Sequence, residues 1–351
     1  MARGRNLLGL DIGASAVKAC LLKEDKRGLA LQAFDMVELP DEAIVEGAII
    51  NGGVVVDAIR EILQRNRIKQ RECALAVSGY SVIIKKITLP VMSRQELDNS
   101  IQWEAEQYIP FDVKDVHLDV EILATRTGQG QMDVLLVAAK KDTVADYANV
   151  AVEAGLEPLV MDAGPFTLQN MFESNYGLAT GETSVLVDVG SAWTNIAVLV
   201  DGMTMFTRDI AMAGQLITEE LQKQLNLTYE QAESYKRGEV GGDDGVVPRE
   251  VETILDQICA SIGTEVQRSL DFYAASATSS TFSRILLTGG SSELPGLGRA
   301  IAEQCGVRVE LIDPFANVSI PDRGLDAERI RRLSPRAGVA VGLALRRSNE
   351  S

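Results

Sequence analysis

Leu8-Gly9-Leu10-Asp11-Ile12-Gly13-Ala14-Ser15-Ala16-Val17-Lys18 reads as a short apolar strand, a tight Asp-x-Gly turn and the start of a second strand. About 175 residues later the pattern returns as Leu186-Val187-Asp188-Val189-Gly190-Ser191-Ala192-Trp193-Thr194-Asn195. An Asp at a strand end, followed by a glycine turn and small hydroxylic residues, sets backbone N–H groups where phosphate oxygens can sit. Alone, each is a common hairpin. Two of them in a duplicated chain can clamp one polyphosphate from both sides, with a cation between Asp11 and Asp188.

Around each hairpin the hydrophobic pattern repeats an α/β plan. In the first half, strands at 17–22 and 29–39 precede a helix at 55–66, with Val55, Ile59, Ile62 and Leu63 on one face, and a buried strand at 73–77. In the second, strands at 185–189, 196–200 and 203–210 lead to a helix after Gly214. A largely helical stretch spans 228–275, and strands return at 284–288 and 307–312. Between the halves, Val82 to Leu89 reads as a strand stopped by Pro90, and Ser93-x-x-Glu96 is a capping box opening a helix that ends near Pro110. Strands at 116–125 and 132–139 around a Gly128-Gln129-Gly130 turn, a helix at 142–154 and a strand at 156–161 complete an inserted α+β unit. Residues 322–336, rich in arginine, read as a surface segment, and Ala337 to Leu345 as a closing helix.

Composition sets the outer bounds. The chain has 351 residues, more than one hydrophobic core usually serves, so two or more domains are expected. Hydrophobic residues make up 46% and charged residues 24%, which excludes wholesale disorder. A net charge of −16 argues against a surface that binds nucleic acid or anionic membrane as a whole, while leaving room for a local basic patch. One histidine and four scattered cysteines give no Ser-His-Asp, Cys-His or zinc arrangement. The longest apolar run, Val134 to Ala139, is far short of a span, and Asp11 interrupts the only leader-like stretch. A reducing cytoplasm is the expected compartment.

Two further motifs join the hairpins. Leu287-Thr288-Gly289-Gly290-Ser291 runs a buried strand into a Gly-Gly turn that lets backbone lie against a base or phosphate. Glu233 and Lys236, in Ala232-Glu233-Ser234-Tyr235-Lys236, share a helix face and can both reach ribose hydroxyls. Neither a Walker-type P-loop nor an intact G-x-G-x-x-G occurs.

The ordered set of two Asp-x-Gly hairpins, an AExxK helix and a TGG turn resembles the actin, heat-shock chaperone and sugar kinase superfamily over nearly the whole chain. The insert position resembles the 1C subdomain of FtsA. Val45-Glu46-Gly47, the run Ala74 to Gly79 and above all Trp103-Glu104-Ala105-Glu106-Gln107-Tyr108-Ile109-Pro110-Phe111 are similar to the PilM family of type IV pilus assembly. The resemblance implies a duplicated actin-like ATPase fold, with subdomain 1A at 1–81 and 162–181 and the 1C insert at 82–161. Subdomain 2A would take 182–227 and 276–351, and 2B 228–275.

It further implies ATP and Mg²⁺ in a cleft lined by Asp11, Gly13, Ala14, Ser15, Lys18, Asp188, Gly190, Ser191, Thr194, Gly214, Glu233, Lys236, Gly289, Gly290 and Ser291, with Asp11 and Asp188 facing the metal. The implied partner is the cytoplasmic N-terminal tail of PilN, docked between the first subdomain and the insert near Leu89, Trp103, Tyr108 and Phe111. PilO through PilN, the pilus motor ATPases and self-association follow from the same resemblance. Peripheral association with the inner membrane through partners follows too, without direct insertion and without nucleic acid. Hydrolytic relatives carry Glu-Pro or Gln near the first interdomain helix; here Gly164 precedes Pro165, so hydrolysis is expected to be slow. Rival readings on this fold are a sugar-kinase-like phosphotransferase and an FtsA-like cell-division filament protein, the latter disfavoured by a C-terminal stretch without an apolar face.

Overall fold

The computed structural model describes residues 5–26, 28–126, 128, 130–177, 181–239, 248–277, 281–321 and 325–348. The expected turn centre Gln129 and most of the acidic loop at 238–246 lie outside them.

The first half opens with an antiparallel meander, β1 (Leu8–Ile12), β2 (Ala16–Asp25) and β3 (Gly28–Glu38). A small hairpin, β4 (Ile44–Val45) and β5 (Ala48–Ile49), leads to α1 (Gly52–Arg65) and β6 (Glu72–Val77). The Asn51 side chain caps α1 by accepting from the Val54 N–H, and Val55, Val56, Ile59, Ile62 and Leu63 are its buried stripe. Next come β7 (Val82–Pro90), α2 (Arg94–Ala105), β8 (Val116–Arg126), β9 (Gln131–Lys140), α3 (Lys141–Glu153), β10 (Glu157–Ala163) and α4 (Gly164–Tyr176).

The second half repeats the plan with β11 (Thr183–Val189), β12 (Thr194–Val200), β13 (Met203–Ile210), α5 (Gly214–Leu225), α6 (Tyr229–Lys236), α7 (Arg249–Ser276), β14 (Arg284–Thr288), α8 (Leu297–Cys305) and β15 (Val309–Leu311). The chain closes with β16 (Val318–Ser319), α9 (Ala327–Leu333) and α10 (Gly338–Ala344).

Two sheets carry the architecture, ordered β10-β6-β1-β2-β3-β16 and β13-β12-β11-β14-β15. With β16 set aside, each has a central strand paired antiparallel to its hairpin partner on one side and parallel to a crossover strand on the other. Asp11 lies opposite Lys18 in the first, and Asp188 opposite Asn195 in the second. One core lies under the first sheet against α1 and α3, and another under the second against α5, α7 and α8. A third joins the two sheets through α4 and α10, with Leu168, Met171, Phe172, Ala340 and Val341 packed against Leu186, Ala197 and Leu286.

All but Val339 of the closing helix is buried, because its small residues bring backbones into contact. A Cβ on Gly342 would stand 1.9 Å from the Thr167 carbonyl oxygen, and one on Gly9 in β1 would stand 2.2 Å from that of Ala340. The 322–336 segment, read from sequence as surface, is instead pinned inward where it is described. Ile330 is buried, and Arg329 joins Arg65 and Asn66 on the buried carboxylate of Asp35. An arginine-rich composition does not reveal that a buried carboxylate draws one of those heads, Arg329, into the fold.

The insert is a three-stranded sheet, β7-β9-β8, with α2 on one face and its own core of Ile87, Leu97, Ile101, Val134 and Leu136. The capping box forms as read, with Ser93 and Glu96 exchanging hydrogen bonds. Its far boundary differs from the 161 expected. Tyr147, Val150 and Ala151 of α3 sit in the first-half core, and β10 pairs in parallel with β6. Residues 141–163 therefore pack with the first sheet, since a parallel strand needs its crossover helix against the sheet it joins. Periodicity reads the same for either arrangement.

Candidate functional site

The two hairpins present their turns at one cleft. In each, the glycine N–H closes the turn on a carbonyl across it: Gly13 on Ala16 at 3.0 Å and Gly190 on Trp193 at 2.9 Å. At the first, the Lys18 ammonium lies 2.7 Å from the Asp11 carboxylate. Half-buried Ala14 and exposed Ser15 form the tip, and the Ser15 carbonyl accepts from the Leu39 N–H. At the second, Asp188 has no cation opposite it in the ladder. Burial, then the charges of Asp11 and Asp209, push its carboxyl up to about 6, against the pull of Lys18. The mutual influence of Asp188, Asp11 and Lys18 places both carboxylates on the same space.

Gly289 closes the floor of that space. It has φ +98°, and a Cβ would meet Asp188 Oδ1 at 2.2 Å and the Val189 carbonyl oxygen at 2.5 Å. Its N–H donates to the Pro335 carbonyl, which also accepts from Thr288 Oγ1. Gly290 beside it meets nothing within 4 Å of an added Cβ, leaving an open backbone platform. The hydroxyls of Thr194 and Ser291 depart from expectation. Thr194 is fully buried and donates to the Met212 carbonyl, while Ser291 donates to that of Gly190. Both fasten the second hairpin from behind, because a hydroxyl in a buried wall must donate to a carbonyl within reach. Ser191 stays half-exposed on the turn, and its carbonyl accepts from the Gln215 N–H.

The α6 pair is built tightly. Lys236 contacts Glu233, donates to Thr218 Oγ1 at 2.8 Å and reaches the Gly214 carbonyl at 3.2 Å, while Thr218 also donates to Glu233. Burial works against the Glu233 charge, yet Lys236, Thr218 and Arg237 together hold its carboxyl below the usual range. Burial, helped by the charges of Arg237 and Arg336, draws the Lys236 ammonium down against the pull of Glu233. Gly214 thus links α6 to the second hairpin, its own N–H donating to the Gly190 carbonyl. Arg237 crosses to Glu38 at the end of β3 at 3.2 Å.

Two residues that sequence reading passed over belong here. Arg336, from the segment taken as surface, acts electrostatically on Lys236, and its Nε is buried without a hydrogen-bond partner. Trp193, inside the second hairpin, meets Tyr80 edge-to-face at 4.3 Å, and its indole Nε1 is likewise buried and unpartnered. The neighbouring Gly79 N–H donates to Asp209, whose carboxyl burial pushes up. Tyr80 precedes β7 by two residues, so this contact joins the second hairpin to the root of the insert. The Trp193 signal was legible as an aromatic in a phosphate-type turn; that of Arg336 was not.

On the insert, the four residues expected at a partner groove separate. Leu89 is 3% exposed and fills the insert core, whereas Trp103 is 77% exposed. Tyr108 and Phe111 are half-buried against that core, with the Lys140 ammonium 4.4 Å from the Phe111 ring. Amphipathic spacing does not distinguish a residue under a sheet from one over a groove.

Duplicated sheets of one topology, facing Asp-x-Gly turns and paired helices between them define a two-lobed protein of the actin-like ATPase fold. The family described as type IV pilus assembly protein PilM matches residues 9–348, and the chain belongs to it. The structure is similar to a chain of the PilM-PilN type IV pilus biogenesis complex, with TM-score 0.86 and 28% identity over 99% of both chains. It is also similar to the ethanolamine utilization protein EutJ from Carboxydothermus hydrogenoformans, with TM-score 0.56, 14% identity, and 97% and 89% of the two chains covered. In sequence it is similar to the cell division protein FtsA of Neisseria meningitidis, 24% identical over 95% of this chain and 88% of FtsA. FtsA of Staphylococcus epidermidis is 22% identical, over 88% and 74%. The cell-division reading is thereby left as a distant relationship.

Proposed function

We propose that this chain is a nucleotide-binding scaffold of the type IV pilus inner-membrane platform that holds Mg·ATP in its cleft and binds the cytoplasmic N-terminal tail of PilN. The observation that carries the nucleotide reading is the uncompensated Asp188 facing the Asp11–Lys18 pair across a glycine floor. Two carboxylates without a second cation, the backbone platform left open at Gly290 and the orphaned Nε of Arg336 fit a triphosphate with its metal. Among the described residues no cluster of three or more His, Cys, Asp or Glu could hold an ion. That suits Mg²⁺, which takes one or two carboxylates and draws its other ligands from water and phosphate. The bound ion would neutralise phosphate charge, Lys18 would assist, and Glu233, Lys236 and Arg336 would meet the nucleoside.

The PilN reading is supported by family membership and by the likeness to the PilM-PilN complex. No helix among the described residues is long and apolar enough to cross a membrane, so a partner is the simplest tether. The exposed Trp103 is an anchor of the kind that extended-peptide sites use. Pull-down with a synthetic PilN N-terminal peptide tests the partner, and calorimetry with ATP, with and without Mg²⁺, tests the cleft. Absence of both interactions in the folded chain refutes the reading.

A further inference from the structure

At the opposite end of β1 from Asp11 the first lobe carries a second cavity, about 900 Å³, with no part in the cleft. Its floor is apolar and includes Leu21, Leu22, Ala33 and Ile68. Its walls bring together Arg5, Lys23, Lys26, Arg67, Lys69 and Arg347, against only Glu24 and Asp25. Arg347 is paired with Glu24; Arg5, Lys23, Lys26, Arg67 and Lys69 make no ion pair among the described residues. In a chain of net charge −16, five free cations drawn from separate segments to one concavity are an electrostatic focus.

A second observation singles out Arg67. Helix α1 ends in a Schellman motif: the Arg67 N–H donates to the Gln64 carbonyl and the Ile68 N–H to that of Leu63. Arg67 holds the left-handed position of that motif, φ +51°, where glycine is the usual residue because a Cβ is strained there. The helix end is served better by glycine, yet the chain places a guanidinium at the cavity wall. Strain accepted at one residue is a mark of use rather than of packing.

We propose that this cavity is a binding site for a multiply phosphorylated anion, separate from the nucleotide cleft. Guanidinium and ammonium heads are the donors that phosphate oxygens take, and the hollow shape suits a discrete phosphate cluster with an apolar neighbour. The phosphates can belong to a soluble ligand or to a lipid headgroup. The heads are exposed, so binding weakens steeply with salt.

The test uses the full chain and inorganic tripolyphosphate, titrated calorimetrically without Mg²⁺, so that the Mg²⁺-dependent cleft stays empty, at 50 mM and 300 mM salt, in three proteins. These are the parent, the variant Lys23→Gln/Arg67→Gly/Lys69→Gln, and a control, Lys223→Gln/Arg299→Gln/Arg308→Gln, with equal charge loss elsewhere. The parent and control should bind alike, the cavity variant at least tenfold more weakly, and the high-salt affinity should fall. Arg67→Gly alone should weaken binding while leaving the melting temperature unchanged or higher, which separates a ligand role from a structural one. Flotation with vesicles of phosphatidylcholine containing cardiolipin, whose headgroup carries two phosphates, assigns the source. Flotation lost in the cavity variant points to headgroups, and its absence beside tripolyphosphate binding points to a soluble ligand. Equal binding by parent and cavity variant, or equal loss in the control, overturns the proposal.

Discussion

Asp11 and Asp188 stand at the same place in two copies of one hairpin, yet only Asp11 has a cation of its own. The ladder sets Lys18 opposite Asp11 and Asn195 opposite Asp188, and Asn195 is turned away to Asp209 at 2.6 Å. The first turn is close to neutral by itself, while the second carries a carboxylate that burial resists. One backbone has thus been used for two electrostatic ends, a self-contained one and one that needs a visitor. On the proposed reading, that asymmetry would make the cleft receptive to a cation-bearing ligand without making it a metal site in its own right.

The sharpest way to break the comparison is to neutralise each carboxylate. Asp188→Asn is expected to weaken Mg²⁺-dependent ATP binding by roughly 100-fold or more, and Asp11→Asn by roughly tenfold, because hydrogen bonds to charged groups contribute about 1.5–3 kcal/mol and Lys18 remains to meet phosphate. Calorimetry with Mg²⁺ present reads both; equal losses would erase the asymmetry.

The glycines give the next largest contrast. Gly289→Ala places a Cβ against Asp188 and Val189 at positive φ and should destabilise the protein by about 2–3 kcal/mol. Gly13→Ala meets the Ala16 carbonyl oxygen at 3.3 Å and should cost about 1 kcal/mol or less. Urea unfolding of the two variants measures the difference.

Acidity sharpens the same point. With its carboxyl raised to about 6, native Asp188 binds more protons than the unfolded chain does between its ordinary range and pH 6. Ligand-free stability therefore falls as pH rises through that window. Solvent at the cleft mouth screens part of this, leaving on the order of 1–2 kcal/mol. Asp188→Asn should be the more stable protein at pH 7, with the gap closing below about pH 4. A gap constant across pH would contradict the assignment.

The smallest effect is optical. The chain has two tryptophans, exposed Trp103 on the insert and Trp193 against Tyr80 at the lobe junction. In Trp103→Phe, Mg·ATP should shift the remaining emission. In Trp193→Phe, which keeps a ring against Tyr80, PilN peptide should shift that of Trp103. Crossed responses would mean that the two regions are not separate sites. Turnover should stay well under the roughly 1 s⁻¹ of slow enzymes, since Gly164 offers no carboxylate to position water and a Cβ there would already meet Ser78 at 3.2 Å. Steady-state phosphate release reads it.

What the sequence made legible was local. Asp-x-Gly turns, the TGG run and the Glu233–Lys236 spacing are set by neighbours within a few residues, and each folds where it was read. The hidden parts are long-range. Arg336 reaches the cleft because Pro335 receives Thr288 and Gly289 from another element, and β16 joins β3 across nearly the whole chain. Thr194 and Leu89 show the same limit from the other side: their types suit a site or a core equally well, and only the fold chooses.

The glycine-lined seat of α10 has a consequence for how the protein is made. Leu7 N–H donates to the Arg346 carbonyl, β1 packs on α10, and β16 adds the outer edge of the first sheet. The lobe built mainly from the earlier part of the sequence is therefore completed by a segment about 300 residues further on. Until that segment docks, Gly9, Leu22 and Leu168 face a gap, and the nascent first half is an aggregation-prone intermediate waiting on a distant contact. Truncation within the last 35 or so residues should for that reason damage the N-terminal lobe before the C-terminal one.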